Sequence, residues 1–276
     1  MIGAIGALRR RRPLAPLAPT EAQPELAPLE PVSWRLRGLP VCASTETELD
    51  RWLARDPRLA GDAPLPAPRA VIARRQRFGR GQQGRPWCSP AGGVWLSAAL
   101  PWPAQAATAA APGLAVAVGL CLRLEARGLP VRLKWPNDLL LPGVGLGGDG
   151  HRKLAGLLPR LRLRGGTCRW ARVGVGLNAS NRAPEGAVAL AELLGAGRAD
   201  PRLWCGEVLA ALEWAMAWAG RPQEVCRQAE RRLHLPDGPI PLDGLDWRPA
   251  GLAADGGLRL VHGTAERVLR RGFGAG

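Results

Sequence analysis

Two lysines stand among thirty-six arginines in this 276-residue chain, and each opens a dense polar motif. Lys134 begins Lys134-Trp135-Pro136-Asn137-Asp138, and Lys153 begins Lys153-Leu154-Ala155-Gly156. The composition is rich in Ala, Gly, Pro and Arg and contains no Tyr, so Arg supplies nearly every generic positive charge. Lys persists where a compact, rotatable ammonium cannot be replaced by a planar guanidinium fork. Two of the three asparagines, Asn137 and Asn178, fall in similar segments. These motifs mark a candidate active site.

Each motif suggests a chemistry. The stretch from Gln76 to Trp87 holds Gly79, Gly81 and Gly84 interleaved with Arg80 and Arg85. Inward-pointing backbone amides with guanidinium donors suit a phosphate or a carboxylate. No Gly-Lys-Ser/Thr follows, so it is not a Walker loop, and a second strand rather than a helix follows, which excludes a dinucleotide fingerprint. By itself such a loop equally describes a basic surface loop. In Lys-Trp-Pro-Asn-Asp, Pro136 stiffens a turn that places Asn137 and Asp138 at a strand end. That gives one cation, one amide and one carboxylate, the last available to magnesium; a plain Pro-Asn-Asp turn is the alternative. Gly156 permits close approach of a ligand to the strand that Lys153 opens. In Val173-Gly174-Val175-Gly176-Leu177-Asn178 the alternating glycines clear one face of a strand for something flat, although barrel-type packing demands the same pattern.

The elements that position these residues follow from periodicity and punctuation. Ala70–Ala73 is expected to be a strand leading into the Gly/Arg loop, with Gly93–Leu100 returning antiparallel. Ser44-Thr45-Glu46-Thr47-Glu48 precedes Leu49, Trp52 and Leu53 as a helix start with a capping-box pattern. Gly113–Arg127 predicts an apolar helix stopped by Gly128 and Pro130. Val131–Lys134, Leu139–Leu141, Leu154–Leu163 and Cys168–Leu177 predict further strands. Arg202–Ala219 predicts a helix, and a short one follows Pro222. From about residue 237 short apolar segments and turns predict a small β-barrel-like appendage, with Leu258–Val261 its clearest strand. The expected class is α+β: a mixed, mainly antiparallel sheet backed by helices, with a small C-terminal β domain. The expected organisation is a disordered leader over 1–33, where proline is dense, a catalytic domain over 34–234 and the β domain over 235–276.

Bulk properties set limits. Apolar residues make up 46% and charged residues 22%, a globular composition able to build a core without disulfides. The net charge of +15 suggests nucleic acid. The arginines are nevertheless scattered, so a solvated basic surface, or steering of acidic ligands or an acidic partner, accounts for it as well. The six cysteines form no Cys-x-x-Cys pair, which supports neither zinc nor a disulfide framework. No apolar stretch is long enough to span a bilayer, and the order of the leader reverses that of a secretory signal. A soluble cytoplasmic protein with reduced thiols is expected.

Taken together and in this order, the Gly-Arg-Gly loop, Trp87-Cys-Ser-Pro90, Lys-Trp-Pro-Asn-Asp, Lys-Leu-Ala-Gly and Gly-x-Gly-x-Asn resemble the biotin–protein ligase family, from about residue 41 to 178. The resemblance implies activation of biotin by ATP and magnesium to biotinoyl-5'-AMP. Transfer to a lysine of a biotin carboxyl carrier protein, typically of acetyl-CoA carboxylase, would follow. It implies that Ser44, Thr45 and Gln76 hold the ureido ring, although Ser44 and Thr45 could equally be helix caps. Arg80, Gly81 and Gln82 would close over biotin, with Lys153 on the activated carboxyl. Gly79, Gly84, Arg85, Trp87, Lys134, Asn137, Asp138, Gly174, Gly176 and Asn178 match the nucleotide side, with Asp138 available to magnesium and Trp87 either stacking near adenine or simply core. Lys153 and Arg80 would act on the reacting groups. Gln82 departs from the Arg common at that position, Arg160 replaces a common acid, and the 142–150 insert is long. A winged-helix domain does not fit before residue 40, so no specific DNA binding is expected, and the oligomer is a monomer or a dimer. The rival readings are a lipoate or octanoyl ligase of the same fold and a non-enzymatic basic nucleic-acid-binding protein.

Overall fold

The computed structural model describes residues 32–59, 63–142, 150–236 and 238–270. The expected leader, apart from residues 32 and 33, the tip of the 142–150 insert and Asp237 of the predicted turn lie outside the described residues. Strand β1 (Arg35–Leu39) is followed by helix α1 (Thr45–Ala54) and β2 (Arg69–Ala73). The Gly/Arg segment forms a small hairpin of β3 (Gly79–Arg80) and β4 (Pro86–Trp87), and β5 (Val94–Leu100) returns antiparallel to β2. Helix α2 (Pro112–Glu125) leads to β6 (Arg132–Lys134), β7 (Asp138–Pro142), β8 (His151–Arg164) and β9 (Thr167–Leu177). Helices α3 (Leu190–Leu194), α4 (Pro201–Trp218) and α5 (Pro222–Glu230) follow, then β10 (Leu233–His234). The chain ends in β11 (Ile240–Leu242), β12 (Leu245–Leu252), β13 (Leu258–His262) and β14 (Ala265–Leu269).

One eight-stranded sheet has the order β1-β2-β5-β9-β8-β7-β6-β10, and a separate sheet has the order β11-β12-β13-β14. Only the two outer pairings of the large sheet, β1 with β2 and β10 with β6, are parallel. The expected mixed, mainly antiparallel architecture with a small C-terminal β unit is therefore the one observed.

The period-2 rule decides where the site lies. Along β9, Val173, Val175 and Leu177 point into the main core with Leu96, Ala98 and Leu100 of β5, where α2 and α4 cover them. The opposite face carries Gly174 and Gly176, which face Ser97 and Trp95 in register. Helix α1 covers part of that second face, packing Leu49 and Leu53 against Val71, Ala99 and Trp170. Beside α1 the face is left bare by glycines, and the cavity forms there.

The segment Ala106–Glu125 is, by length and composition, apolar enough to cross a membrane, contrary to the sequence expectation that no stretch is. It begins with a 3-10 turn, however, and α2 itself is the buried central helix, with twelve residues in the core. Its uniform apolarity reflects burial on all sides.

Candidate functional site

A cavity of about 230 Å³ lies on the glycine-cleared face, walled by α1, the β3–β4 hairpin and the β7–β9 strands. It gathers Ser44, Thr45, Gln76, Arg80, Gly81, Gln82, Arg85, Trp87, Asn137, Asp138, Lys153, Gly174 and Gly176 from positions up to 132 residues apart. Four residues predicted for the site do not line it. Gly79 is drawn against the hairpin itself, where a Cβ would sit 2.5 Å from the Trp87 carbonyl oxygen and 2.6 Å from Ser89 Oγ. Gly84 takes the left-handed conformation (φ 73°) at the hairpin turn, beside Gln83 at φ 55°. Lys134 ends β6 with an exposed side chain. Asn178 is buried beyond the end of the glycine pair, where its Oδ1 accepts from Asn181 Nδ2 at 3.0 Å.

The two glycine clearings have separate occupants. The flat object over Gly156 and Gly176 is the indole of Trp87: a Cβ on Gly176 would lie 2.4 Å from its Nε1, and one on Gly156 2.9 Å from its ring carbons. A Cβ on Gly174 would instead lie 3.1 Å from Oε1 of Glu46. Trp87 thus roofs the sheet, and Lys153 Nζ lies 4.9 Å from its ring centroid. The same ammonium pairs with Asp138 Oδ2 at 2.8 Å. The Trp135–Pro136 bond is cis, and Asn137 locks the turn to β8 by donating Nδ2 to the Leu157 carbonyl at 2.8 Å and accepting the Leu157 N–H at 2.8 Å. Asp138 consequently stands at the mouth of β7 opposite Gly156, its register partner.

A second polar group lies on the α1 side. Gln76 Oε1 accepts from the Thr45 backbone N–H at 2.8 Å and from Thr45 Oγ1 at 3.0 Å, and Thr45 Oγ1 meets Ser97 Oγ at 2.8 Å. Gln76 Nε2 donates to Ser89 Oγ at 2.8 Å, tying the hairpin to the same chain of bonds. Ser44 occupies the N-cap position of α1, but its side chain makes no capping bond. The predicted capping box is therefore absent. Its Oγ, Glu46 Oε1, Asp138 Oδ1 and Trp87 Nε1 are all buried without partners. Such groups are costly unless something satisfies them. Burial pushes the nearby Cys42 thiol, bridged to Gln76, up to about 11, with Glu48 adding to the effect, so it remains a neutral thiol.

Sequence reasoning missed Glu46, Ser97 and Leu158, all lining residues. Ser97 did carry a signal, as the lone polar residue in the apolar strand Val94–Leu100. Glu46 resembled an ordinary first-turn acid. In the structure it is buried, with Oε2 held by Arg172 Nη2 at 2.8 Å. Among the described residues no group of three or more His, Cys, Asp or Glu side chains could hold a metal. Asp138 Oδ1 remains as a single carboxylate oxygen, the kind of ligand a phosphate-borne magnesium uses.

The site is thus a cavity on one face of the sheet, over cleared glycines, roofed by an indole and holding one lysine–aspartate pair. Residues 58–178, less than half of the chain, match the profile described as the Biotin/lipoate A/B protein ligase family. It is 38% identical over 123 residues to the bifunctional ligase/repressor BirA of Escherichia coli, covering 43% of this chain and 35% of that protein. It is 36% identical over 129 residues to the biotin–[acetyl-CoA-carboxylase] ligase of Paracoccus denitrificans, covering 43% and 47%. The aligned part thus spans less than half of these relatives. The fold matches the biotin protein ligase of Aquifex aeolicus, solved with biotin and ATP, at a TM-score of 0.60 and 23% identity over 87% of this chain and 97% of that one.

Proposed function

We propose that this protein is an ATP-dependent biotin–protein ligase. The observation that carries the reading is that one cavity holds both the Lys153–Asp138 pair and the Thr45–Gln76–Ser97 chain, one suited to an activated carboxyl and the other to a polar ring. In the first step a biotin carboxylate oxygen attacks the α-phosphorus of ATP. The bond from the α-phosphorus to the α,β-bridging oxygen breaks, and biotinoyl-AMP and pyrophosphate form. In the second step the amine of a carrier-protein lysine attacks the acyl carbon, loses a proton and expels AMP.

The chain's own groups supply orientation and charge. Lys153 places a positive charge beside the reacting carboxyl, where it offsets phosphate charge and the developing oxyanion. The Asp138 carboxylate and the Trp87 face fix the ammonium in position. Arg80, Arg85 and the loop amides face the phosphates, and Gln76 with Thr45 and Ser44 offers donors and acceptors to the ureido ring. Magnesium, when bound with ATP, would neutralise phosphate charge, with Asp138 Oδ1 as its protein ligand. The relatives' names and the biotin and ATP of the Aquifex structure support the same reading. A cytoplasmic setting and a carboxyl carrier acceptor belong to this proposal.

A lipoate or octanoyl ligase shares the fold, but its acyl group carries no polar ring to engage the Thr45–Gln76–Ser97 chain. The deciding experiment is ATP–pyrophosphate exchange with biotin, lipoate and octanoate in parallel. Exchange with biotin alone is expected, and exchange driven by lipoate or octanoate but not biotin would replace the proposal.

A further inference from the structure

The hairpin that walls the cavity has an outer side that bears a groove of its own. This groove, of about 540 Å³, shares Gln76, Arg80, Pro86 and Trp87 with the cavity wall. Arg75, Arg77 and Phe78 line it. The sequence contains no Asp or Glu between Asp62 and Glu125. Accordingly Arg75, Arg77, Arg80 and Arg85 are all exposed, and none has an acidic partner among the described residues. Arginines such as Arg123, Arg172, Arg232 and Arg259 are each paired with a carboxylate, whereas these four are gathered on and just before one hairpin, with no acid in that stretch of sequence.

Backbone pairing explains why these side chains face out. Gln76 bridges to Cys42 and turns its amide inward to Thr45, so its neighbours Arg75 and Arg77 project to the other side of an extended segment. Phe78, one of two phenylalanines in the chain, is 69% exposed within the same groove. An exposed aromatic among unneutralised arginines combines an apolar anchor with a charged rim, the composition of a protein-recognition patch.

We propose that this groove docks the acceptor domain, and that the acceptor presents acidic side chains around its lysine to Arg75 and Arg77 and an apolar residue to Phe78. The inference rests on the ligase reading and names the partner chemistry of the same site. Docking there would set the acceptor lysine against the shared hairpin wall, a short reach from the cavity. The unpaired arginines would also steer an acidic acceptor, so salt should weaken its capture. Arg75, Arg77 and Phe78 do not line the cavity proposed for biotin and ATP, so the first step should be insensitive to them.

The test uses the full chain, biotin, ATP with magnesium, and a carboxyl carrier domain with acidic residues beside its lysine. Arg75→Glu/Arg77→Glu should leave biotin-dependent exchange within about twofold and raise the acceptor KM roughly tenfold or more. In the wild type the acceptor KM should rise between about 50 and about 300 mM salt, and the double variant should lose that dependence. Phe78→Ala should raise the KM without altering the salt dependence. An acceptor whose flanking acids are changed to arginine should be used better by the double variant than by the wild type. An unchanged acceptor KM in the double variant, or a wild-type KM indifferent to salt, overturns the docking surface while exchange stays intact. Duplex DNA that displaces the acceptor from the wild type, and fails to bind the double variant, assigns the patch to nucleic acid instead. Absence of biotin-dependent exchange in the wild type overturns the ligase reading itself.

Discussion

At the scale of single residues, the pairing of Lys153 with both Asp138 and the Trp87 ring explains why this position kept a lysine in an arginine-rich chain. A guanidinium is longer and planar, and with Trp87 fixed over the glycines it cannot place its charge at the same point. Lys153→Arg is therefore expected to lower biotin-dependent exchange by about a hundredfold although the charge is kept, and equal rates in the two proteins would contradict it. Glu46 permits a finer test. Arg172 donates to Oε2, so in Glu46→Gln the amide oxygen must turn to Arg172 and leave its NH2 where the partnerless Oε1 stood. A ligand N–H brought there would meet a donor in place of an acceptor. Biotin affinity measured by calorimetric titration should fall about tenfold or more, and undiminished affinity would show that Oε1 does not accept from the ligand.

Elements made the site legible, and in places they concealed it. Strands β2, β5, β8 and β9 were visible because alternation or continuous apolarity survives in a short window, and the Gly-x-Gly pair was read as a clearing on one strand face. Trp87 covers Gly176 and Gly156 while Gly174 meets Glu46, and both occupants come from segments about 70 residues or more away in sequence, so no local pattern could assign them. The edge strands β1 and β10 were likewise invisible, since each is short and owes its existence to a parallel partner elsewhere. Ser44 misled in the other direction: Ser-Thr-Glu-Thr-Glu has the composition of a capping box, but tertiary context leaves the hydroxyl on the cavity side without a capping bond. The β3–β4 hairpin itself is held by few bonds, with Gly81 N–H donating to the Arg85 carbonyl at 2.7 Å and Gln82–Gly84 as its turn. Such a two-residue ladder opens readily in solution. Trypsin should cut after the exposed Arg80 in the free protein, and biotin with ATP together should slow that cut more than either alone, because only the adenylate engages the loop and both polar groups at once. Cleavage indifferent to ligands would show that the hairpin is a fixed wall and not a closing one.

For the whole molecule, the decisive relation is between the large sheet and its flanking units. Arg69 at the start of β2 is fully buried, and it depends on Asp56, which also receives Arg58 at 2.8 Å. Hydrogen bonds from Arg58 and Arg69 hold the Asp56 carboxyl well below the usual carboxylate range. A group depressed in the folded state contributes stability above its unfolded value and loses it as the pH falls toward the folded one. The melting temperature should thus drop in acid below about pH 4, and Asp56→Asn should lower it at neutral pH while flattening the acid slope; an unchanged slope would remove Asp56 from the account. The C-terminal sheet is tied in just as closely. Trp247, Leu252, Leu258 and Leu260 belong to the same core as α2 and α4, the Leu252 N–H donates to Glu230 Oε1 at 2.8 Å, and Trp135 Nε1 donates to the Gly256 carbonyl at 2.9 Å. The last bond joins the sheet to the motif turn that carries Asn137 and Asp138, so the appendage braces the site. Trp135→Phe keeps the apolar contact and removes the donor, leaving a partly buried carbonyl unsatisfied at a cost of about 1 kcal/mol. A chain of this size should then melt roughly 2–4 °C lower, in one transition that includes the C-terminal sheet. Calorimetry that resolved two separate transitions, with only the smaller one shifted, would show that the sheet folds as an independent unit and that the turn does not depend on it.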